Sequence, residues 1–488
     1  MQASTPEPEN DDKLLTRWLF VALGAYFGLR VVLHAVMGAG SVDLDEAEKL
    51  VWSQWWALGY GSEPPLYTWL QKLCCGVFGV NVFALSLLKN LVLFGACAAL
   101  YAITGGLLSN LRHRVVGTLS LVLVPQWAWE AQRGLLPTTL AVTVSAVALL
   151  LALELLRRPA RWRFVAFGAS LGLGVLAEYH FLMFAGALVV TLGSFDRGRE
   201  LLRDRRMRWA GAMTLLLVVP HGVWLGGHWR AFVPTGSVSL VERLGQFVAG
   251  VVAVGGIAAL VVAVFFRNNL RWYRPKDLRG PITFPLGRLV VVGLGIAGAV
   301  AVLAWGMPFQ EHWLLPVMFL FPFWLVLRVD PVLLPPQVWK RIWWTFAVIM
   351  GSAVLVGTIQ PTHFPTAEVA ERARAMGFVR GVIIADTPSL AGNLRLEFPN
   401  STVCAARLGT EVPAQVATNQ TALIVWDLGK HKQIPDAMRE WLRVRFQLDA
   451  DRLSPVPVRM AFGRGRNEFV DIRIIVLPPA EAAKLRAK

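Results

Sequence analysis

The stretch Ser41–Gln71, "SVDLDEAEKLVWSQWWALGYGSEPPLYTWLQ", sets Asp43, Asp45, Glu46, Glu48 and Glu63 among tryptophans and tyrosines. It follows directly on the apolar run Leu14–Met37, long enough to cross a bilayer at roughly 17–25 residues per span. Charge this close to hydrocarbon is costly unless solvated or paired, and it often marks function. Two adjacent carboxylates are a poor way to build a membrane boundary, so Asp45 and Glu46 are the first candidates for chemistry. Asp43 and Glu48 read as solvated surface charges or local helix caps.

Outward from this stretch, the 488 residues are 55% hydrophobic and only 16% charged, with a mean hydropathy of +0.51. A soluble domain carries about 25% charged residues. Apolar runs recur from Leu14 to Val356, so the chain is expected to cross the membrane many times. The net charge of +16 does not signal nucleic acid. Its bases come in short bursts between apolar runs, such as Arg157–Arg163 and Arg197–Arg208, with no stripe of bases and stacking aromatics. Bursts of this kind belong on the cytoplasmic side. The four cysteines show neither a disulfide framework nor metal-ligand spacing.

Placing the bursts inside gives a polytopic α-helical membrane protein of about eleven spans. The spans fall near 14–37, 83–108, 115–128, 135–156, a pair pivoting at "AEYH", 209–227, 245–266, 287–305, 314–328 and 341–359. Residues 1–13 read as a flexible cytoplasmic tail and 14–360 as the transmembrane domain. The external loop 41–82 carries helices that lie at the interface. From about His363 the charge density is that of a soluble protein, and "GVIIADTPSLAGNLRLEFPN" and "TALIVWDLGK" alternate as strands, turns and helix. Residues 361–488 are thus expected to form a small extracytoplasmic α/β domain. It holds no GxGxxG, Walker lysine or Ser/His/Asp pattern, which suits an accessory cap over the outer face. This threading, set by the bases alone, also collects Asp45, Glu46, Glu63, Glu130, Glu178, His180, His228, Glu311 and His312 outside. That is where an extracytoplasmic cavity would lie.

An acid in such a cavity can serve as base to a hydroxyl or hold a divalent cation that clamps a phosphate. The tryptophans suit an interfacial aromatic belt and, equally, sugar faces. Arg30 and His34 share one face of the first span, open to burial against a neighbour or to a donor phosphate. His221 reads either as a hydrogen-bonded structural histidine or as a site residue. Glu130 with Arg133 reads as an interfacial ion pair, and Lys89 can snorkel outward or meet a phosphate.

"LDEAE", a short spacer and "GYGSEPPLYTWL" together resemble the first external loop of the C-type glycosyltransferases (GT-C). The group in question holds the protein O-mannosyltransferases, the lipid A aminoarabinose transferases and their bacterial relatives. "FALSLLKNLVLFG", "PHGVWL", "EHWLLPVMFLFPFWLVLR" and "AGNLRLEFP" fit the bacterial branch, so the resemblance covers most of the chain. It implies an inverting enzyme of the bacterial inner membrane, with its C-terminal domain in the periplasm. Such an enzyme takes a sugar from a polyprenyl-phosphate donor and passes it to lipid A, lipopolysaccharide core or another envelope glycan. The family's loop acid matches Asp45, with Glu46 beside it. Candidates for contact with donor phosphate or substrate are Arg30, Lys89, Arg133, His221, Arg230, His312 and Tyr67, with Arg243 also on the outer side. Many relatives carry a lysine or histidine just before the proline pair, where this chain has Glu63, and a mid-chain lysine where it has Glu178. The two acids, with His180, are candidates to bind a divalent metal that does the same work.

The competing reading is a transporter or flippase of lipid-linked sugars. Transporters tend to show internal repeats and midplane breaks, whereas here the acids gather at one face. A non-enzymatic assembly protein gives no reason for a one-sided acidic cluster.

Overall fold

The computed structural model describes residues 8–37, 41–229, 238–266, 284–303, 306–328, 336–359, 366–406, 420–427, 433–446, 448–450, 453–462 and 468–479. Along the chain, Pro8–Met37 (α1) leads into the short acidic helix Leu44–Trp52 (α2), then Leu66–Phe78 (α3) and Val82–Leu107 (α4). Leu111–Leu119 (α5) and Pro125–Ala128 (α6) precede Leu136–Arg157 (α7). Next come Arg161–Ala177 (α8), Phe181–Gly193 (α9), Asp196–Arg203 (α10) and Met207–His228 (α11). They are followed by Leu240–Phe266 (α12), Leu286–Leu303 (α13), Leu315–Met318 (α14), Phe321–Val326 (α15) and Pro336–Ile359 (α16). The C-terminal part runs Thr366–Ala375 (α17), Val382–Ala385 (β1), Pro388–Glu397 (α18), Thr402–Ala405 (β2), Ala422–Asp427 (β3), Asp436–Phe446 (α19), Val456–Phe462 (β4) and Glu468–Leu477 (β5).

Among the described residues, six helices are long and apolar enough to cross a membrane: Lys13–Val36, Val82–Leu107, Leu136–Arg157, Met207–His228, Leu240–Val264 and Leu286–Leu303. The pair α9 and α10, bent by 111°, would make a seventh. This count differs from the eleven read from the sequence, and prolines explain two of the five expected spans that are missing from it. The expected span 115–128 breaks into α5, a 3-10 turn at Ser120–Leu123 and α6. Pro125 has no N–H to give, and Val124 before it is extended at φ −89°, ψ 111°. The expected span 314–328 divides in the same way into α14 and α15, with Pro316 and Pro322 in their first turns.

The chain divides into two compact units. The first holds Met1–Leu29, Pro64–Tyr67 and Lys89–Val356. Its tightest helix pairing sets α8 against α11 through small residues four apart. A Cβ at Gly168 would fall inside the Ala210 backbone, and one at Gly172 would come within 2.9 Å of Leu217. The hydroxyl of Thr214 donates to the Gly168 carbonyl at 2.8 Å across the gap. Close backbone approach of this kind replaces the hydrophobic drive that lipid cannot supply.

The second unit holds Arg30–Glu63, Thr68–Leu88 and Gly357–Lys488. Its five-stranded sheet runs β2-β1-β3-β5-β4, with β1 parallel to both β2 and β3 and the last two pairings antiparallel. Strands such as "VIIA" are uninterrupted apolar runs because both faces are covered. Val369, Leu390 and Leu394 pack on one face with Ile383 and Val425. Met438 and Leu442 pack on the other with Ile384 and Trp426. Val51 of α2 enters the first of these cores, while Ala47 and Leu50 form a second patch with Cys75, Ala84 and Leu85, against which Leu396 packs. The acidic loop is therefore a layer of the α/β unit, whereas the sequence had grouped it with the membrane helices.

Gly168→Leu should force α8 and α11 apart, at the ~1–3 kcal/mol typical of overpacking. The expected result is a lower thermal midpoint for loss of monodisperse detergent-solubilised protein. Gly24→Ala, where nothing lies within 4 Å, should leave that midpoint unchanged or slightly raised.

Candidate active site

In the second unit the first-span face and the acidic loop come together. Asp43 occupies the N-cap position of α2, although its side chain makes no capping bond. Asp45 follows in the first turn, half-buried. Glu46 is only 1% exposed and lies 3.8 Å from His34 Nε2. The adjacent carboxylates thus separate: Asp45 is the more accessible, and Glu46 faces inward. Arg30, on the same face of α1 as His34, is buried.

Lys49, one turn beyond Asp45, was not singled out from the sequence. It is 1% exposed, its ammonium pairs with the Glu63 carboxylate, and it sits 4.7 Å over the Trp52 ring. Its i, i+4 spacing from Asp45 was the available signal. Glu63 is therefore matched by a cation from α2. The loop tip around it is fixed by paired backbone bonds between Tyr60 and Glu63, at 3.1 and 2.9 Å. Gly61 turns there at φ 56°, against Trp52. The Tyr60 hydroxyl donates to the Trp55 carbonyl at 2.7 Å and accepts from the Ala57 N–H at 3.0 Å.

Glu48 is half-buried and not the solvated surface charge expected. Burial, then the nearby Glu63 charge, pushes its carboxyl up to about 7; Lys49 opposes the rise and Asp45 adds to it. A carboxyl with a raised pKa destabilises the fold once it must ionise. The native chain holds that proton between the usual carboxylate range and about pH 7, so stability falls across this window as pH rises.

The first unit carries a separate polar group. The "AEYH" break between α8 and α9 presents Glu178, extended at φ −164°, ψ 136°, and His180, whose Nδ1 lies 3.0 Å from the Glu178 carboxylate. His180 stacks on Trp313 at 4.3 Å and stands at right angles to His312 at 6.3 Å. Gln126 donates to Glu311 at 3.2 Å. Partial burial and the charge of Glu311 push Glu130 up, against the pull of Arg133. The Tyr179 hydroxyl and Nε2 of buried His221 share a hydrogen bond at 3.0 Å. Buried Lys89 donates to the Gln132 carbonyl at 2.6 Å, tethering the segment that carries Glu130. Tyr67 is buried and Arg133 exposed, while Arg230 lies outside the described residues. Arg243 is buried, with one guanidinium N–H 3.4 Å from the Val302 carbonyl.

Among the described residues, no three His, Cys, Asp or Glu side chains form a set that could hold a metal ion. Glu63 is engaged by Lys49, and Glu178 and His180 by each other. The donor set expected for a divalent metal is incomplete, and no chemical step is routed through one. Replacing Glu48 by glutamine should raise the thermal midpoint by a few degrees above pH 7 and leave it unchanged near pH 4. A midpoint gain that persisted at the acid end would contradict the titration assigned to Glu48.

Residues 62–224 match the family model described as dolichyl-phosphate-mannose-protein mannosyltransferase. Lipopolysaccharide core galacturonosyltransferase RgtB of Rhizobium johnstonii is 29% identical over 487 residues, covering 93% of this chain and 96% of that protein. RgtA of the same organism, also named a lipopolysaccharide core galacturonosyltransferase, is 29% identical over 446 residues, covering 85% and 88%. The fold is that of ArnT from Cupriavidus metallidurans. In its undecaprenyl-phosphate complex the TM-score is 0.57 at 15% identity, over 95% of this chain and 98% of ArnT. In its apo state these values are 0.58 and 16%, over 97% and 100%. Residues 62–224 thus resemble the mannosyltransferase family, and the chain as a whole is similar to lipopolysaccharide core glycosyltransferases and shares the fold of ArnT.

Proposed function

We propose that this protein moves a galacturonosyl residue from a polyprenyl-phosphate donor to the lipopolysaccharide core, on the extracytoplasmic face of a bacterial inner membrane. The observation that carries the reading is the likeness to RgtB over nearly the whole of both chains. The undecaprenyl phosphate bound to a protein of the same fold supports the choice of donor. The relatives are named as transferases, which leaves the transporter reading without support.

Asp45 is the base in this reading. Its carboxylate takes the proton of an acceptor hydroxyl as that oxygen attacks the anomeric carbon. The carbon–oxygen bond to the phosphate breaks on the opposite face, so the configuration inverts and polyprenyl phosphate leaves with the bonding pair. A phosphate leaves as a stable anion and needs positive charge on its oxygens more than a proton. Arg30 is the cation we assign to this need from the unit that carries Asp45. Glu46, turned inward to His34, orients the helix rather than meeting substrate.

The test supplies full-length protein in lipid nanodiscs with undecaprenyl-phosphate galacturonic acid and a lipopolysaccharide core acceptor. Release of undecaprenyl phosphate and gain of one hexuronosyl residue by the acceptor are measured. Asp45→Asn should slow turnover by about 10²–10⁴-fold, the range of positioned acid–base catalysis. Wild-type turnover in that variant would remove Asp45 as the base. Turnover with a neutral hexose donor but none with the uronic acid would remove the proposed sugar.

A further inference from the structure

The motif "AGNLRLEFP" has no part in the chemistry above, yet its helix lies along α2. A Cβ at Gly392 would fall inside the Ala47 backbone, so α18 touches the middle of the acidic helix. At the helix start, the Asn393 amide serves both groups of one residue. Its Oδ1 accepts from the Val42 N–H at 2.7 Å, and its Nδ2 donates to the Val42 carbonyl at 3.0 Å. At the helix end, buried Arg395 donates to the Ser53 hydroxyl at 3.0 Å. One residue later the Gln54 amide donates to the Val403 carbonyl and accepts from its N–H, both at 2.8 Å, and so pairs with edge strand β2 in place of a neighbouring strand. Lys72 completes the clasp by donating to the carbonyls of Ser53 and Gln54, at 3.2 and 2.8 Å.

These contacts fix depth, register and rotation together. Successive helix residues are turned by about 100°, so a rotation of one residue would exchange the surroundings of Asp45 and Glu46. The Arg395 guanidinium is buried with its Nε unmatched, and burial pulls it down to about 10. Stability alone would favour an apolar side chain at such a place.

We infer that Gly392, Asn393 and Arg395 are positioning residues of the transfer reaction, setting the rotation of the helix that presents Asp45. The C-terminal α/β layer is then part of the catalytic apparatus, not an accessory cap. This rests on Asp45 being the base.

The experiment compares full-length Gly392→Ala, Asn393→Ala, Arg395→Ala and Arg395→Lys with Asp45→Asn and with Leu442→Ala. Leu442 is buried on the opposite face of the sheet, so its truncation weakens the same layer without touching α2. Turnover of undecaprenyl-phosphate galacturonic acid is measured beside amide hydrogen exchange over residues 44–53. The first three variants should lose about 100-fold in kcat, the cost of an ångström-scale misplacement, with KM for the donor unchanged and faster exchange in α2. Arg395→Lys should recover most of what Arg395→Ala loses, and Leu442→Ala should keep its kcat. Three results would each overturn the inference: loosened α2 with full kcat, unchanged exchange in the Asn393 and Gly392 variants, or a Leu442→Ala loss as large as theirs. Full activity in Asp45→Asn would instead sink the base assignment, a failure visible separately. Should Gly392→Ala not fold, the Asn393 and Arg395 variants carry the same comparison.

Discussion

Nine residues of helix with four ionisable side chains among them do not hold together in water; isolated helices shorter than about 12–15 residues are marginal at best. The acidic helix α2 exists because another part of the chain supplies what it lacks. Val51 reaches the core under the C-terminal sheet, Leu50 and Ala47 pack with the start of the second apolar span, and α18 presses on its backbone at Gly392. Every statement about Asp45 depends on this docking, since the side chain has no fixed direction without it.

Charge in this unit is balanced locally. Glu63 meets Lys49, Glu46 faces His34, and Glu48 keeps its proton until about neutral pH because burial and neighbouring carboxylates oppose ionisation. Such a balance lets several acids stand close together, with Asp45 half-buried beside fully buried Glu46. The first unit follows the same logic. Glu178 pairs with His180, Glu311 takes a bond from Gln126, and Lys89 is spent on a main-chain carbonyl. Glu178 and His180, candidates for a metal in the sequence, are here partners of each other.

The broken spans bear on function as well as on counting. Pro125, Pro316 and Pro322 interrupt stretches whose hydropathy alone suggests crossing helices. The freed segments are the ones that carry Gln126, Glu130, Glu311 and His312. Irregular backbone of this kind is tolerated in a membrane protein only where protein or a water-filled hollow receives it.

The sequence by itself determined the properties that are local. Hydropathy marked the six long apolar helices within a few residues, period and composition marked the α/β layer, and the carboxylates after the first span marked the acidic loop. The first-loop motif carried the resemblance that the relatives bear out. What only the tertiary structure decided depends on residues far apart in the chain. Asn393 and Val42 are separated by 351 positions, and no periodicity in either segment announces their meeting. The inward turn of Glu46, the burial of Lys49 and the raised Glu48 carboxyl follow from the same docking. Desolvation and charge pairing are set by what surrounds a group in space, and a side chain's neighbours along the chain do not specify that.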